Sequence, residues 1–182
     1  MRFSQLPRLN VVLHRPVIPW NTGNSGRTCL GFGAALHLIG PLGFDVGDAA
    51  AKRAGLDYWP HVDLRLHENW DTFERDVMPE FSNLFFFSKF EKHGDKPLSQ
   101  TVFFNNASAA KICGKIALVF GSEQQGLDGV SKKALDHFPK VYLPMNSDAI
   151  RSYNLSSSVA MGLCEASRQF EQISTALTAG NQ

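Results

Sequence analysis

The sequence predicts an α/β fold, a parallel sheet with helices on both faces. Two observations carry this. Short apolar runs alternate with longer amphipathic stretches along most of the chain, the pattern of strand–helix units. The short runs are also mostly apolar on both faces, as strands of a sheet covered on each side must be.

Six runs read as strands, each bounded by Gly, Pro or Asn: Leu9–Leu13, Ala35–Ile39, Tyr58–Val62, Asn83–Ser88, Ile116–Phe120 and Lys140–Leu143. Helices are expected between and after them. Asn24–Phe32 follows a Gly-rich turn, and Asp48–Ala54 is Ala-rich and closed by Gly55. Glu68–Met78 sets Trp70, Phe73 and Val77 on one stripe and stops at Pro79; Ser131–Phe138 stops at Pro139. Leu155–Ile173 is the longest, with Leu155, Val159, Leu163, Ala166 and Phe170 near one face. Residues 89–110 read as a partly ordered loop around one short element. At 182 residues the chain is expected to form about one domain, spanning 1–182 with terminal extensions at 1–8 and 174–182.

Composition removes several classes. With 43% apolar and 19% charged residues the chain is not disordered. No apolar run approaches the ~18 residues of a membrane span, so no membrane partner is expected. Cys29, Cys113 and Cys164 fit neither a disulfide framework nor a CxxC metal pair. They read as free thiols in a reducing, cytoplasmic compartment. The six histidines form no ligand-spaced cluster, so no metal is expected. A net charge of +1 hides an asymmetry: before Asp45 there is no acid, while Arg2, Arg8, Arg15 and Arg27 make that segment basic. A basic end suits a polyanionic partner. A strand starting at Leu9 leaves too little chain before it for an organelle presequence.

Three segments put Gly, Asn and Ser where a strand ends, the edge at which α/β sheets bind ligands. The first runs from His14 to Arg27 (HRPVIPWNTGNSGR). Gly23 and Gly26 are expected to let backbone approach a ligand. A helix starting near Asn24 would put Arg27 in its first turn, where a cation opposes the helix dipole and an anionic partner would offset the cost. The second, ALVFGSEQQGL from Ala117, is a buried strand running into a Gly-rich loop. It is neither a P-loop nor GxGxxG, which points to a nucleoside-like ligand without phosphates. In the third, Leu143-Pro144-Met145 and then Arg151 to Ala160 (RSYNLSSSVA), a proline-stopped strand leads into a long helix that Ser152 or Asn154 can cap.

In this order the three segments resemble the motifs of the SpoU/TrmH branch of the SPOUT RNA methyltransferases, closest to the small TrmL-type tRNA wobble (cytidine/uridine) 2'-O-methyltransferases. The likeness runs from Leu9 to Phe170 and includes PLGFDVGDAAAKRAGLDYW between the first two motifs. It implies a C-terminal trefoil knot, an exception to the rule against knotted chains. It also implies a homodimer and a tRNA partner. S-adenosyl-L-methionine would bind in the knot and leave as S-adenosyl-L-homocysteine. By resemblance, Phe87, Gly121, Leu143 and Ser152, with Met145 and Leu155 beside them, would hold that cofactor. Asn21, Arg27, Ser152 and Asn154 would surround the reacting ribose, and Arg27, Arg151 and Glu123 would face RNA. The chain departs from the pattern at Ser122 and Gln125, where the family often carries the Pro and Arg of GPETRGL, and at Cys164, where Tyr is common.

Methyl transfer from a sulfonium to a ribose oxygen needs in-line placement and loss of a hydroxyl proton, but no metal. The family assigns Arg27 the base role, yet arginine holds its proton tightly. Arg27 is therefore read as gripping the adjacent phosphate and stabilising the developing alkoxide, while phosphate or water takes the proton. Ser152 and Asn154 would orient the hydroxyl. Other readings are methylation of a different tRNA or rRNA site, or a catalytically silent RNA-binding relative. An α/β hydrolase would need a GxSxG elbow, and none occurs.

Overall fold

The computed structural model describes residues 9–47, 56–88, 95–104 and 114–179. In these stretches β1 (Leu9–His14), β2 (Ala35–Ile39), β3 (Leu64–His67), β4 (Phe81–Ser88), β5 (Lys96–Pro97), β6 (Lys115–Phe120) and β7 (Lys140–Tyr142) form one sheet in the order β3-β2-β1-β6-β4-β7-β5. Every pairing is parallel. The helices are α1 (Pro19–Phe32), α2 (Trp70–Asp76), α3 (Lys132–His137) and α4 (Leu155–Ala179).

Alternation along the central strands splits the interior into two cores. Val11 and Leu13 of β1, Phe85 and Phe87 of β4, and Leu118 and Phe120 of β6 point to one face. There they meet Cys29 of α1 and the stripe Leu155, Val159, Leu163, Ala166 and Phe170 of α4. Val12, Phe86 and Val119 point the other way, onto Trp70 and Phe73 of α2 and Ala134 of α3. Strands filled on both sides explain their apolar character. All of β1 and β2 is buried.

The structure corrects three expectations. Tyr58–Val62 is not a strand: Trp59–His61 forms a 3₁₀ turn, and the strand follows at Leu64–His67. Pro60 has no N–H for a ladder, and Trp59 is buried against the helical layer instead. The real strand is an edge strand carrying Arg65 and His67, which its apolar content does not advertise. Helix α1 begins at Pro19, not Asn24, with proline in the first turn where its missing N–H costs nothing. Arg27 thus lies well inside α1, and the dipole argument for it does not apply. Helix α4 extends beyond Ile173 to Ala179. The expected helix Asp48–Ala54, Cys113 and much of the 89–110 loop lie outside the described residues. Within that loop, β5 and a 3₁₀ turn at Leu98–Gln100 are the short elements present.

Candidate active site

The carboxyl ends of β4, β6 and β7 open onto a cavity of about 960 Å³. The stacked rings of Phe87 and Phe120, 4.3 Å apart between centroids, stand on its wall. Gly162 lets α4 seat on them, since a Cβ there would come within 2.9 Å of the Phe87 ring. The loop after β6 is closed on itself by Ser122 and Gly126, which exchange backbone hydrogen bonds of 2.8 Å in both directions. Gly121 has no room for a side chain because a Cβ would fall 2.1 Å from the Gly126 carbonyl carbon. Its glycine is demanded by the loop's own closure. Phe87, Gly121, Leu143, Met145, Ser152 and Leu155 all line this cavity, together with Asn21, Glu123 and Asn154.

A chain of hydrogen bonds ties three distant segments together at the lip. Glu123 accepts from the backbone N–H groups of Val17 (2.9 Å) and Ile18 (3.3 Å) and from Asn21 Nδ2 (2.8 Å). The carboxylate therefore caps the start of α1, where negative charge suits the helix dipole. Asn21 Oδ1 accepts from Asn154 Nδ2 at 2.8 Å. Asn154 Oδ1 in turn accepts from the Ser156 N–H (2.9 Å) and Ser157 N–H (3.4 Å), capping α4. Asn154 is the cap and Ser152, exposed on the cavity wall, is not. Glu123, expected to meet RNA, has both oxygens engaged at the start of α1, by Val17, Ile18 and Asn21.

Arg27 is not brought to this group. It is exposed, does not line the cavity, and lies over the ring of Tyr58 with its guanidinium carbon 5.0 Å from the centroid. Tyr58 donates its hydroxyl to the Gly23 carbonyl at 2.9 Å, and burial pushes its pKa up, so the phenol remains a donor. Gly23 and Gly26, expected to approach a ligand, approach protein: a Cβ on Gly26 would lie 2.6 Å from the Trp59 ring and one on Gly23 3.1 Å from Leu56. Arg151 is exposed and off the cavity wall, while Gln125 is on it. Sequence reasoning missed Tyr58 and the capping role of Glu123. The aromatic pair after Gly55 was the available signal for Tyr58, and it reads more readily as a strand. Among the described residues no group of three or more His, Cys, Asp or Glu could hold a metal, and no helix is long and apolar enough to cross a membrane.

Residues 8–164 match the model of the SpoU rRNA Methylase family. The chain belongs to that family. Among SpoU relatives, the tRNA (cytidine(34)-2'-O)-methyltransferase of Burkholderia cenocepacia is 41% identical over 163 residues, 88% of this chain and 94% of the relative. A solved structure described as giving insights into the 2-OH methylation of C/U34 on tRNA superposes with a TM-score of 0.73 at 38% identity, covering 91% of this chain and 97% of its own. The SpoU methyltransferase AviRb from Streptomyces viridochromogenes, in complex with AdoMet, shares the fold at a TM-score of 0.67 and 22% identity, over 91% of this chain and 59% of its own.

Proposed function

We propose that this chain is an S-adenosyl-L-methionine-dependent tRNA 2'-O-methyltransferase that modifies the wobble nucleotide, cytidine 34 or a modified uridine 34, of the anticodon loop. One observation carries the reading: a cavity at the strand ends, with Phe87, Phe120, Leu143, Met145 and Leu155 in its wall, carries on its lip the linked amides of Asn21 and Asn154, with Ser152 beside them. The names of the SpoU relatives supply the nucleotide.

The residues present fit the cofactor. The cavity lies within the ~300–1,000 Å³ range of small-molecule sites, which are mostly apolar with a few placed polar groups. Phe87, Leu143, Met145 and Leu155 give the apolar surface, and Gly121 and Ser152 the polar approach. When bound, S-adenosylmethionine supplies an electrophilic methyl group. The protein's part is orientation. Ser152, exposed on the cavity wall, is free to meet the ribose hydroxyl, while the Asn21–Asn154 pair fixes the helix end beside it. Arg27, with Arg151, grips the neighbouring phosphate and favours the developing alkoxide.

This role for Arg27 needs a second copy. Arg27 follows Asn21 by six residues, about 240° around the helix, and lies off its own cavity. A homodimer packed through α1 and α4 offers Arg27 of each protomer to the other's ribose. Val17, Ile18, Trp20 and Leu30, exposed on or just before α1, supply apolar surface for that contact. The trefoil knot at the C-terminal half and a cytoplasmic location complete the reading. Methyl transfer from radiolabelled S-adenosylmethionine to purified tRNA, with the product mapped by nucleoside mass spectrometry, tests it. The expected product is a 2'-O-methylated nucleotide 34, and a methylated base or a ribose outside the anticodon loop overturns the assignment.

A further inference from the structure

We infer that Tyr58 is a positioning residue for Arg27, the ring on which the guanidinium is held for the phosphate and ribose. The inference rests on the proposed role of Arg27. The residues around Tyr58 give it a fixed place. Its hydroxyl is tied to the Gly23 carbonyl of α1 at 2.9 Å, and Arg27 of the same helix lies one turn further on over its face at 5.0 Å. The flanking segment cannot drift. Leu56 and Trp59 pack against α1 where Gly23 and Gly26 leave no side chain, and the Trp59 indole donates to the Val46 carbonyl at 3.0 Å.

The arrangement answers a physical problem. An exposed arginine on a helix loses considerable rotamer entropy when it is fixed for a single contact. Among the described residues no carboxylate forms an ion pair with Arg27. An acid partner would hold Arg27 but would also compete with a phosphate for its charge. An aromatic face attracts the guanidinium through its quadrupole while leaving the N–H fork at its edge available for bidentate contact with phosphate. The 3₁₀ turn that replaces the expected strand at Tyr58–Val62 is thus what puts a ring beneath this cation.

Steady-state methylation of purified tRNA by full-length Tyr58→Phe and Tyr58→Leu tests the inference, alongside Arg27→Ala and the Tyr58→Leu/Arg27→Ala double variant. Tyr58→Phe keeps the face and should keep kcat within about twofold of the parent, whereas Tyr58→Leu should lower kcat about fivefold. KM for S-adenosylmethionine should stay unchanged in both. In the Arg27→Ala background Tyr58→Leu should have no further effect on kcat, because the ring acts only through Arg27. An unaltered kcat in Tyr58→Leu, or a loss in the double variant equal to the product of the single losses, overturns the positioning role. If Tyr58→Leu does not fold, Tyr58→Gln takes its place with the same expectations, and a fall of about tenfold in Tyr58→Phe would make the hydroxyl rather than the face essential and overturn the inference. Normal turnover by Arg27→Ala would instead strike down the role of Arg27 itself, a separate outcome.

Discussion

Asn21 can be oriented in only one way. A carboxylate only accepts, so the Asn21 group facing Glu123 must be the amino group, and its carbonyl oxygen then faces Asn154. Asn154 must answer with its own amino group, which leaves its oxygen for the N–H groups that open α4. This fixed polarity separates two roles of Asn154. Asn154→Asp keeps the capping oxygen but sets acceptor against acceptor at Asn21. Urea unfolding should find its stability within about 1 kcal/mol of the parent, since Asp and Asn cap about equally. Methyl transfer should fall at least tenfold, on the order of losing one placed donor. Asn154→Ala should lose both, with stability down by about 1 kcal/mol. A fully active Asn154→Asp enzyme would remove the network from the mechanism. The polar residues of the lip were legible in the sequence because each follows a strand end. The direction of the linkage was not, since Glu123 meets Val17 and Asn21 across more than a hundred residues of chain.

At the scale of elements, the paired faces of β1, β2, β4 and β6 were readable because residues buried on both sides have to be apolar. The failures share a cause: residues whose placement is set by a neighbouring element rather than by local pattern. Gly23 and Gly26 look like a loop and are helical, because Leu56, Tyr58 and Trp59 lie against α1 where a side chain would otherwise stand. Glycines in α1 therefore differ in what replacing them would do. Gly26→Ala gains helix propensity but drives a Cβ to 2.6 Å from the Trp59 ring, and overpacking of this kind should cost about 1–3 kcal/mol. Gly31→Ala meets nothing within 4 Å and should stabilise α1 by up to about 1 kcal/mol. Opposite shifts in melting temperature are expected from the two. A stabilising Gly26→Ala would mean that the segment from Leu56 to Val62 does not pack on α1 as described.

Across the whole molecule, two buried imidazoles make the fold sensitive to acid. His37 lies between sheet and α2, its Nε2 3.2 Å from Asn10 Oδ1 and its Nδ1 3.0 Å from His67 Nε2. Asn10 Nδ2 donates to the Ile116 carbonyl, so Asn10 Oδ1 accepts from His37, and His37 Nδ1 accepts from His67. That relay holds only if His37 is neutral. Burial, with the neighbouring His67, pushes its pKa down to about 3, and burial beside Arg15 pushes that of His14 to about 4. The unfolded chain binds protons at these sites near 6.5 and the folded chain does not. Stability is therefore fully present above that value and is lost as pH falls towards the folded pKa values, by about 1.4 kcal/mol per imidazole per pH unit. Urea unfolding at about pH 7.5 and 5.5 should show the loss, and His37→Leu should flatten its slope with pH. An identical midpoint at both values would contradict the buried neutral pair.

The proposed dimer makes the last and strictest demand, because it would assign one catalytic centre to two chains. Asn154 lies at the lip of its own cavity, whereas Arg27 lies off it, so in the proposed dimer variants at the two positions should damage opposite halves of a shared site. Arg27→Ala and Asn154→Asp homodimers should each be nearly inactive while still binding S-adenosylmethionine. If the two are mixed under conditions that exchange subunits, random pairing makes about half the molecules heterodimers by the symmetry of a two-fold interface. Each heterodimer then has one centre with neither substitution and one with both. Methyl transfer to tRNA should recover to about a quarter of the parent value, set by that half of the dimers with one working centre of two. Arg27 acting on its own cavity would place one substitution in every centre, and no recovery would follow. Sedimentation of the mixture as a single monomeric species would exclude the shared site altogether.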